Sequence, residues 1–262
     1  TPPNPNLAST TQALDYAAGF RARGRGSEAD IPPIRPLTPL IDMRPNYRAV
    51  GGTGAQAANW LAGAGFGKTV LYLPLSSPEF DGLLHPGMEI IDNNDGYADM
   101  LQDDPTFSEV HCIIDYAGGA RLRYGGGIRE TSGDDRIILS GDRCNSRLRI
   151  SAAFRDAVCR PHGDSSLLVT GFNACRDMGD FHLFLDQAAV MMRDYKRSNP
   201  EGFIHLEDCF QWDRAEERRR VLAEKAWPLA DSLGMNEVEY REMCAMFGLP
   251  GDDVYAALSG LA

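Results

Sequence analysis

The sequence predicts an α/β protein with a largely parallel sheet and a small antiparallel attachment. From Gly51 onward, short apolar runs alternate with helical stretches of about 10 to 18 residues, the spacing of βαβ crossovers. Two strand-like runs, SLLVTG (166–171) and FIHLED (203–208), flank the best amphipathic helix of the chain, and strands joined by a helix are parallel. The stretch 110–125 differs in kind: two alternating segments around the turn Ala117-Gly118-Gly119 read as a hairpin attached to that sheet as a lid.

Taken in order, residues 1 to about 47 read poorly as a compact unit. Pro32, Pro33, Pro36 and Pro39 follow the basic stretch RARGRG and prevent helix there. A helix is expected over Thr10 to Arg23, where Ala13, Tyr16, Ala17 and Phe20 recur at helical spacing. GGTGAQAANWLAGAGFG reads as a glycine-rich turn, a helix over roughly 54–64 and a glycine stop. KTVLYLPL (68–75) is a strand, and 80–108 is expected to be polar and irregular, with acidic clusters at Asp92–Asp95 and Asp103–Asp104. VHCIIDY (110–116) and ARLRYG (120–125) form the expected hairpin, followed by a short strand RIIL (136–139). A helix near 149–160 precedes the strand at 166–171. The helix at about 180–197 carries Phe181, Phe184, Leu185, Ala188, Met191, Met192 and Tyr195 on one stripe, read as core rather than as a cofactor box. The strand at 203–208, a charged helix (213–225), a short strand (228–232) and helices near 236–247 and 251–260 complete the chain. The domain division expected is a Pro-rich N-terminal region, 1–50, partly lid, and an α/β domain, 51–262, with the lid hairpin at about 110–140.

The 262 residues carry 26 Lys+Arg against 37 Asp+Glu, a net charge of −11. That acidity argues against a nucleic-acid partner, which needs a basic surface. No apolar run approaches the roughly 20 residues of a spanning helix, so no membrane partner is expected. The N-terminal TPPNPNLASTTQALDY has neither a charged nor an apolar leader segment. Cys112, Cys144, Cys159, Cys175, Cys209 and Cys244 are scattered without a CxxC pair, which suits reduced thiols in a cytoplasmic protein.

Three places can carry chemistry. Gly51-Gly52-Thr53-Gly54 opens a helix, whose unpaired N–H groups suit an anion; the spacing is neither a Walker loop nor GxGxxG, so a structural turn and a ligand-facing loop both stand. His205 and Glu207 fall on one face of a strand near its C-terminal end, where ligands gather in open α/β sheets. Glu207 reads equally as a structural partner or as part of a metal or phosphate site, while Asp208 faces the other way and reads as a cap or pair. Asn236 is a good N-cap, and Glu237 and Glu239 suit the positive end of a helix dipole. A capped helix explains these residues, but not the placement of carboxylates at two consecutive β–α junctions. Mg²⁺ typically takes one or two carboxylates plus substrate phosphates, a role open to Glu207 and Glu239. The EERRR run (216–220) reads as a solvated helix face with i,i+4 pairs.

In order and spacing these motifs resemble the ADP-dependent glucokinases and phosphofructokinases of the ribokinase superfamily. GGTGAQAANWLAG (51–63) is similar to the family's GG-x-A-x-x-x-A-N helix start, and DDRIILSGDRCNSRLRISAAFRD (134–156) to its NRFI segment, with Asp135 for Asn. LLVTGFN (167–173) resembles the strand ending in SG-x-Q, with Thr170 for Ser and Asn173 for Gln. IHLE (204–207) and GMNEVEY (234–240) match the HxE and NxxE motifs. The resemblance implies a ribokinase-like three-layer sandwich with a mostly parallel central sheet and a small β-rich lid. It also implies phosphorylation of glucose or fructose 6-phosphate by ADP, with Mg²⁺ and release of AMP. On this resemblance Glu28 meets the sugar hydroxyls and inclines the site to glucose, while Gly51, Gly52, Gln56, Arg136 and Asn173 border the substrate. Glu207 and Glu239 hold Mg²⁺ through water, with His205 and Asn236 behind them.

Two family elements are not found: a first strand with N-x-D expected before residue 10, and the GxGD motif, whose Asp is the family's catalytic base and which lies downstream of NxxE. The 262 residues are therefore read as the middle part of such a kinase, the catalytic base lying outside them. The rival reading is a catalytically incomplete sugar- or nucleotide-binding relative.

Overall fold

The computed structural model describes residues 10–21, 27–30, 48–98, 111–124, 127–131, 133–141, 144–175, 177–208 and 214–249. In chain order these form α1 (Thr10–Arg21), β1 (Ser27–Asp30), α2 (Thr53–Gly63), β2 (Thr69–Tyr72), β3 (Met88–Ile91), β4 (His111–Tyr116), β5 (Arg121–Tyr124), β6 (Gly127–Glu130), β7 (Asp135–Ser140), α3 (Ala152–Val158), β8 (Ser166–Val169), α4 (Met178–Ser198), β9 (Phe203–Glu207), α5 (Ala215–Lys225), β10 (Ser232–Gly234) and α6 (Glu237–Phe247).

The core forms where the sequence periods are strongest. Asp177 caps α4, its side chain accepting from the N–H groups of Gly179 and Asp180 at 2.7 and 3.2 Å. The stripe Phe181, Phe184, Leu185, Ala188, Met191, Met192 and Tyr195 is buried as expected. It packs in one cluster with Leu167 and Val169 of β8 and Ile204 and Leu206 of β9. Burying each such large side chain contributes about 1.5–3 kcal/mol. Strands β8, β9 and β10 run parallel with β9 in the middle, and the register sets Leu206 beside Val169 and Leu233. Alternation along β9 buries Ile204 and Leu206 completely and leaves His205 and Glu207 half-buried on the other face. A second parallel pair, β2 with β3, packs with α2 through Ala55, Ala58, Leu71, Leu73 and Leu84.

The remaining strands build a smaller sheet, β1-β7-β4, with β1 parallel and β4 antiparallel to β7. Ala13 and Ala17 of α1 pack on its Ile137, Leu139 and Tyr116.

Here the structure corrects the expected hairpin. The segments 110–116 and 120–125 do not pair; β4 pairs with β7 over six residues, and β5 pairs with β6. The turn at Ala117 forms, with the Ala120 N–H donating to the Ala117 carbonyl at 3.3 Å, but it takes the chain out of one ladder and into another. The reason is burial: Ile137 and Leu139 are fully buried in β7, so its open edge is where β4 gains a partner. The β5–β6 hairpin is closed at its base by buried Thr131, whose hydroxyl donates to the Ala117 carbonyl at 2.5 Å and accepts from the Ala120 N–H at 2.9 Å.

Two further differences are local. The stretch expected to be irregular contains β3, four residues in parallel register with β2, too short for its period to be read. The strand expected at 228–232 lies at Ser232–Gly234 instead, because Trp227–Leu229 form a 3-10 turn around Pro228, which has no N–H for a ladder. The helix expected at 251–260 and the acidic pair Asp103–Asp104 lie outside the described residues.

Candidate functional site

The C-terminal ends of β8 and β9 meet the N-terminus of α2. Gly52 takes φ +77°, a left-handed value natural to glycine, and turns the chain into α2 at Thr53. The Thr53 hydroxyl donates to Glu207 Oε1 at 3.1 Å, and the hydroxyl of Thr170, just past β8, donates to Glu207 Oε2. Gly54 makes this approach possible, since a Cβ there would sit 3.1 Å from the Thr170 methyl. Gln56 pins the preceding loop from its side-chain amide to the Val50 carbonyl at 3.0 Å. Gly51 and Gly52 are exposed, with open space where a side chain would stand.

The second carboxylate enters from α6. Asn236 accepts from the N–H groups of Val238 and Glu239, and Glu239 returns a carboxylate oxygen to the Asn236 N–H at 2.7 Å, a complete capping box. The box explains the orientation of Glu239, yet this carboxylate is only 3% exposed and has other anions around it. Burial pushes its carboxyl above the usual range, and the charges of Asp208 and Glu207 push the same way; the Asn236 N–H and the Arg219 guanidinium oppose. The charge of Glu207 reaches Glu239 only weakly beside the effect of burial, and a cation bound at this edge would relieve both.

His205 lies between β8 and β10, its Nδ1 3.0 Å from the Ser232 hydroxyl. Gly234 gives the ring its room: a Cβ there would be 2.7 Å from His205 Nε2. Asn173 stands in the short turn Phe172–Ala174, entered through Gly171 at φ +95° just after Thr170.

The structure thus gathers Gly51, Gly52, Gln56, Asn173, His205, Glu207, Asn236 and Glu239 around one sheet edge. It sets Glu28 and Arg136 on the smaller sheet: Glu28 is in register with Ile138, and Arg136 Nε is 3.4 Å from Asp115 on the facing strand. Among the described residues no group of three or more His, Cys, Asp or Glu is arranged to hold a metal. The described residues therefore form no cage that would hold a metal by protein ligands alone.

Two residues take partners at the site that the sequence does not show: Thr53, in the glycine-rich helix start, and Arg219. Thr53 could have been found from its place at the first turn of a helix entered through two glycines. Arg219 was read with its neighbours as a solvated face; that holds for the Glu216–Arg220 pair at 2.8 Å, but Arg218 and Arg219 are buried. They fall on the stripe of Leu222 and Ala226, the signal that was available. Asp208 is fully buried and paired, as its position beyond Glu207 suggested.

Comparison with known proteins bears on the family and the fold. The sequence model of the ADP-specific phosphofructokinase/glucokinase conserved region matches residues 21–260. No curated protein matches the chain by sequence search. Two crystal structures from Pyrococcus horikoshii OT3, a hypothetical ADP-dependent phosphofructokinase and a phosphofructokinase with AMP, superpose on 93% of this chain with TM-scores of 0.69 and 0.67 at 17% and 16% identity. An ADP-dependent kinase in complex with fructose-6-phosphate and ADPβS superposes with a TM-score of 0.67 at 15% identity, again over 93% of this chain. The chain spans 56%, 56% and 55% of these three relatives, about half of each. The fold is the expected ribokinase-like α/β architecture, and the chain belongs to the ADP-specific phosphofructokinase/glucokinase family.

Proposed function

We propose that the protein is an ADP-dependent sugar kinase that transfers a phosphoryl group from ADP to glucose or fructose 6-phosphate, giving AMP, a sugar-phosphorylating step of glycolysis. The observation that carries this reading is the convergence of Glu207 and Glu239 on one sheet edge beside the N-terminal ends of α2 and α6. Neighbouring structures hold AMP, or fructose-6-phosphate with an ADP analogue, which supports the substrate classes. Acidic charge and the absence of disulfides at Cys112, Cys144, Cys159, Cys175 and Cys244 support a cytoplasmic location.

The chemistry follows from charge. A diphosphate donor brings negative charge to an acidic protein, so binding needs local compensation. The N-terminus of α2, entered through Gly52 without a side-chain cap, supplies part of it through its N–H groups. Bound Mg²⁺ would supply the rest as a Lewis acid on the phosphate oxygens, held through water by Glu207 and Glu239. Thr53 and Thr170 hold both oxygens of Glu207, and the capping box holds Glu239, so neither carboxylate has to reorient when substrate arrives. His205 and Asn236 stand behind them. Gly51, Gly52, Gln56 and Asn173 border the sugar, and Glu28 and Arg136 approach it from the smaller sheet, which acts as the lid; Glu28 inclines the choice toward glucose.

The intact parent protein that carries these 262 residues is expected, with Mg²⁺, to form AMP from ADP with at least one of the two sugars; no AMP with either ends this reading. Glu239→Gln is expected to lower that transfer roughly 100-fold, and full activity would remove Glu239 from the metal site. A sugar- or nucleotide-binding relative without catalysis is the second reading, favoured by Asp135 and Asn173, which stand where the family segments they resemble carry Asn and Gln. Calorimetric binding of glucose or ADP-Mg²⁺ without turnover would select it.

A further inference from the structure

A buried cation joins the two carboxylate-bearing elements from behind. Arg219, on α5, has a side chain only 2% exposed. Its Nε donates to Asp208 Oδ2 at 2.7 Å, and Asp208 is the residue that follows Glu207. Its Nη1 reaches Glu242 Oε2 at 3.4 Å, and Glu242 stands one helical turn beyond Glu239 on α6. The Asp208 N–H also donates to the Gly234 carbonyl at 2.7 Å, tying the ends of β9 and β10 together immediately before the cap of α6. One guanidinium therefore spans from the end of the strand that carries Glu207 to the helix that carries Glu239.

As a stability device this arrangement is a poor one. Removing a guanidinium and a carboxylate from water costs several kcal/mol per ion before their attraction is counted, and an apolar pair of equal volume commonly serves the fold as well. The Arg219 Nη2 atom, moreover, is buried without a hydrogen-bond partner among the described residues. The planar fork of arginine does what an apolar pair does not: it fixes direction and distance toward two carboxylates at once.

We propose that Arg219 is a positioning residue that sets the separation of Glu207 and Glu239 through Asp208 and Glu242, and so the affinity of the site for a magnesium-bound nucleoside diphosphate. This rests on the reading of those two glutamates as the Mg²⁺ carboxylates. Loss of comparable outer partners costs metal sites about 10- to 100-fold in affinity.

The test measures ADP affinity by calorimetry with and without Mg²⁺, and the thermal midpoint without ligand. The double variant Asp208→Asn/Arg219→Met removes both buried charges together, so neither is stranded. It is expected to lose about 10- to 100-fold of the gain in ADP affinity that Mg²⁺ confers, with metal-free ADP affinity unchanged. Arg219→Lys, which keeps the charge without the fork, is expected to fall between it and the unaltered protein. A lower thermal midpoint with the full Mg²⁺-dependent gain overturns the proposal and leaves the pair a purely structural one. Where the double variant does not fold, Arg219→Lys and Glu242→Gln decide: both are expected to lose part of the gain, and full retention in both overturns it. Absence of any Mg²⁺-dependent gain in the unaltered protein instead brings down the reading of Glu207 and Glu239 on which the proposal rests.

Discussion

The β8-β9-β10 sheet and the β1-β7-β4 sheet use the same apolar strand residues but are held in different ways. In the first, Ile204 and Leu206 are fully buried beneath a helix of 21 residues, and every pairing is parallel. In the second, a helix of 12 residues covers Ile137 and Leu139, while Ile113 of β4 stays 49% exposed and Ile128 of the neighbouring hairpin 58%. A fully covered face sets register through packing, since a slip of one residue would turn the buried set outward. A thinly covered sheet has less to lose by slipping, and its pairing rests more on particular polar contacts such as those of Thr131. The difference also suits the roles proposed: a rigid edge for the carboxylates and a smaller element that can move over the sugar.

Substitutions test that contrast. The largest effect is expected from Phe172→Ala, which empties a fully buried position in contact with Phe184 at a ring separation of 4.9 Å. Denaturant unfolding should show a loss of about 3–5 kcal/mol, and a loss below 1 kcal/mol would mean that this core collapses readily and is not the rigid partner. Thr131→Val keeps shape but leaves the Ala117 carbonyl and the Ala120 N–H without that hydroxyl, at a cost of about 1–3 kcal/mol. Hydrogen exchange should rise in β5 and β6 and stay unchanged in β8 and β9; a uniform rise would show that the two sheets open as one unit. Asn236→Ala removes the cap of α6 at about 0.5–2 kcal/mol. It should also weaken Mg²⁺-dependent ADP binding, because Glu239 loses half of its reciprocal box; unchanged binding would separate the cap from the site.

The sequence showed more of the β8-β9-β10 region than of the β1-β7-β4 region. The stripe of α4, the alternation of His205 and Glu207 and the capping signature at Asn236 are local patterns, and each appears where its period places it. The segments of the expected hairpin are strands too, but with other partners, since two alternating runs around a glycine turn look the same in sequence whether or not they pair. The burial of Arg219 is hidden in the sequence for a related reason. A run of five charged residues reads as solvated until a buried carboxylate is found to face it, and Asp208 lies 11 positions away on another element.

By itself the sequence determined which face of each helix and strand is apolar, where the helices of the site begin, and that carboxylates stand at two consecutive β–α junctions. Those are properties of neighbours along the chain, set by periods of 3.6 and 2 and by the orphan N–H groups of a helix start. Only the tertiary structure decided that β4 joins β7, that Arg219 reaches Asp208 and Glu242, and that Thr53 donates to Glu207 across 154 positions. Such contacts depend on how whole elements pack, and no local period encodes them.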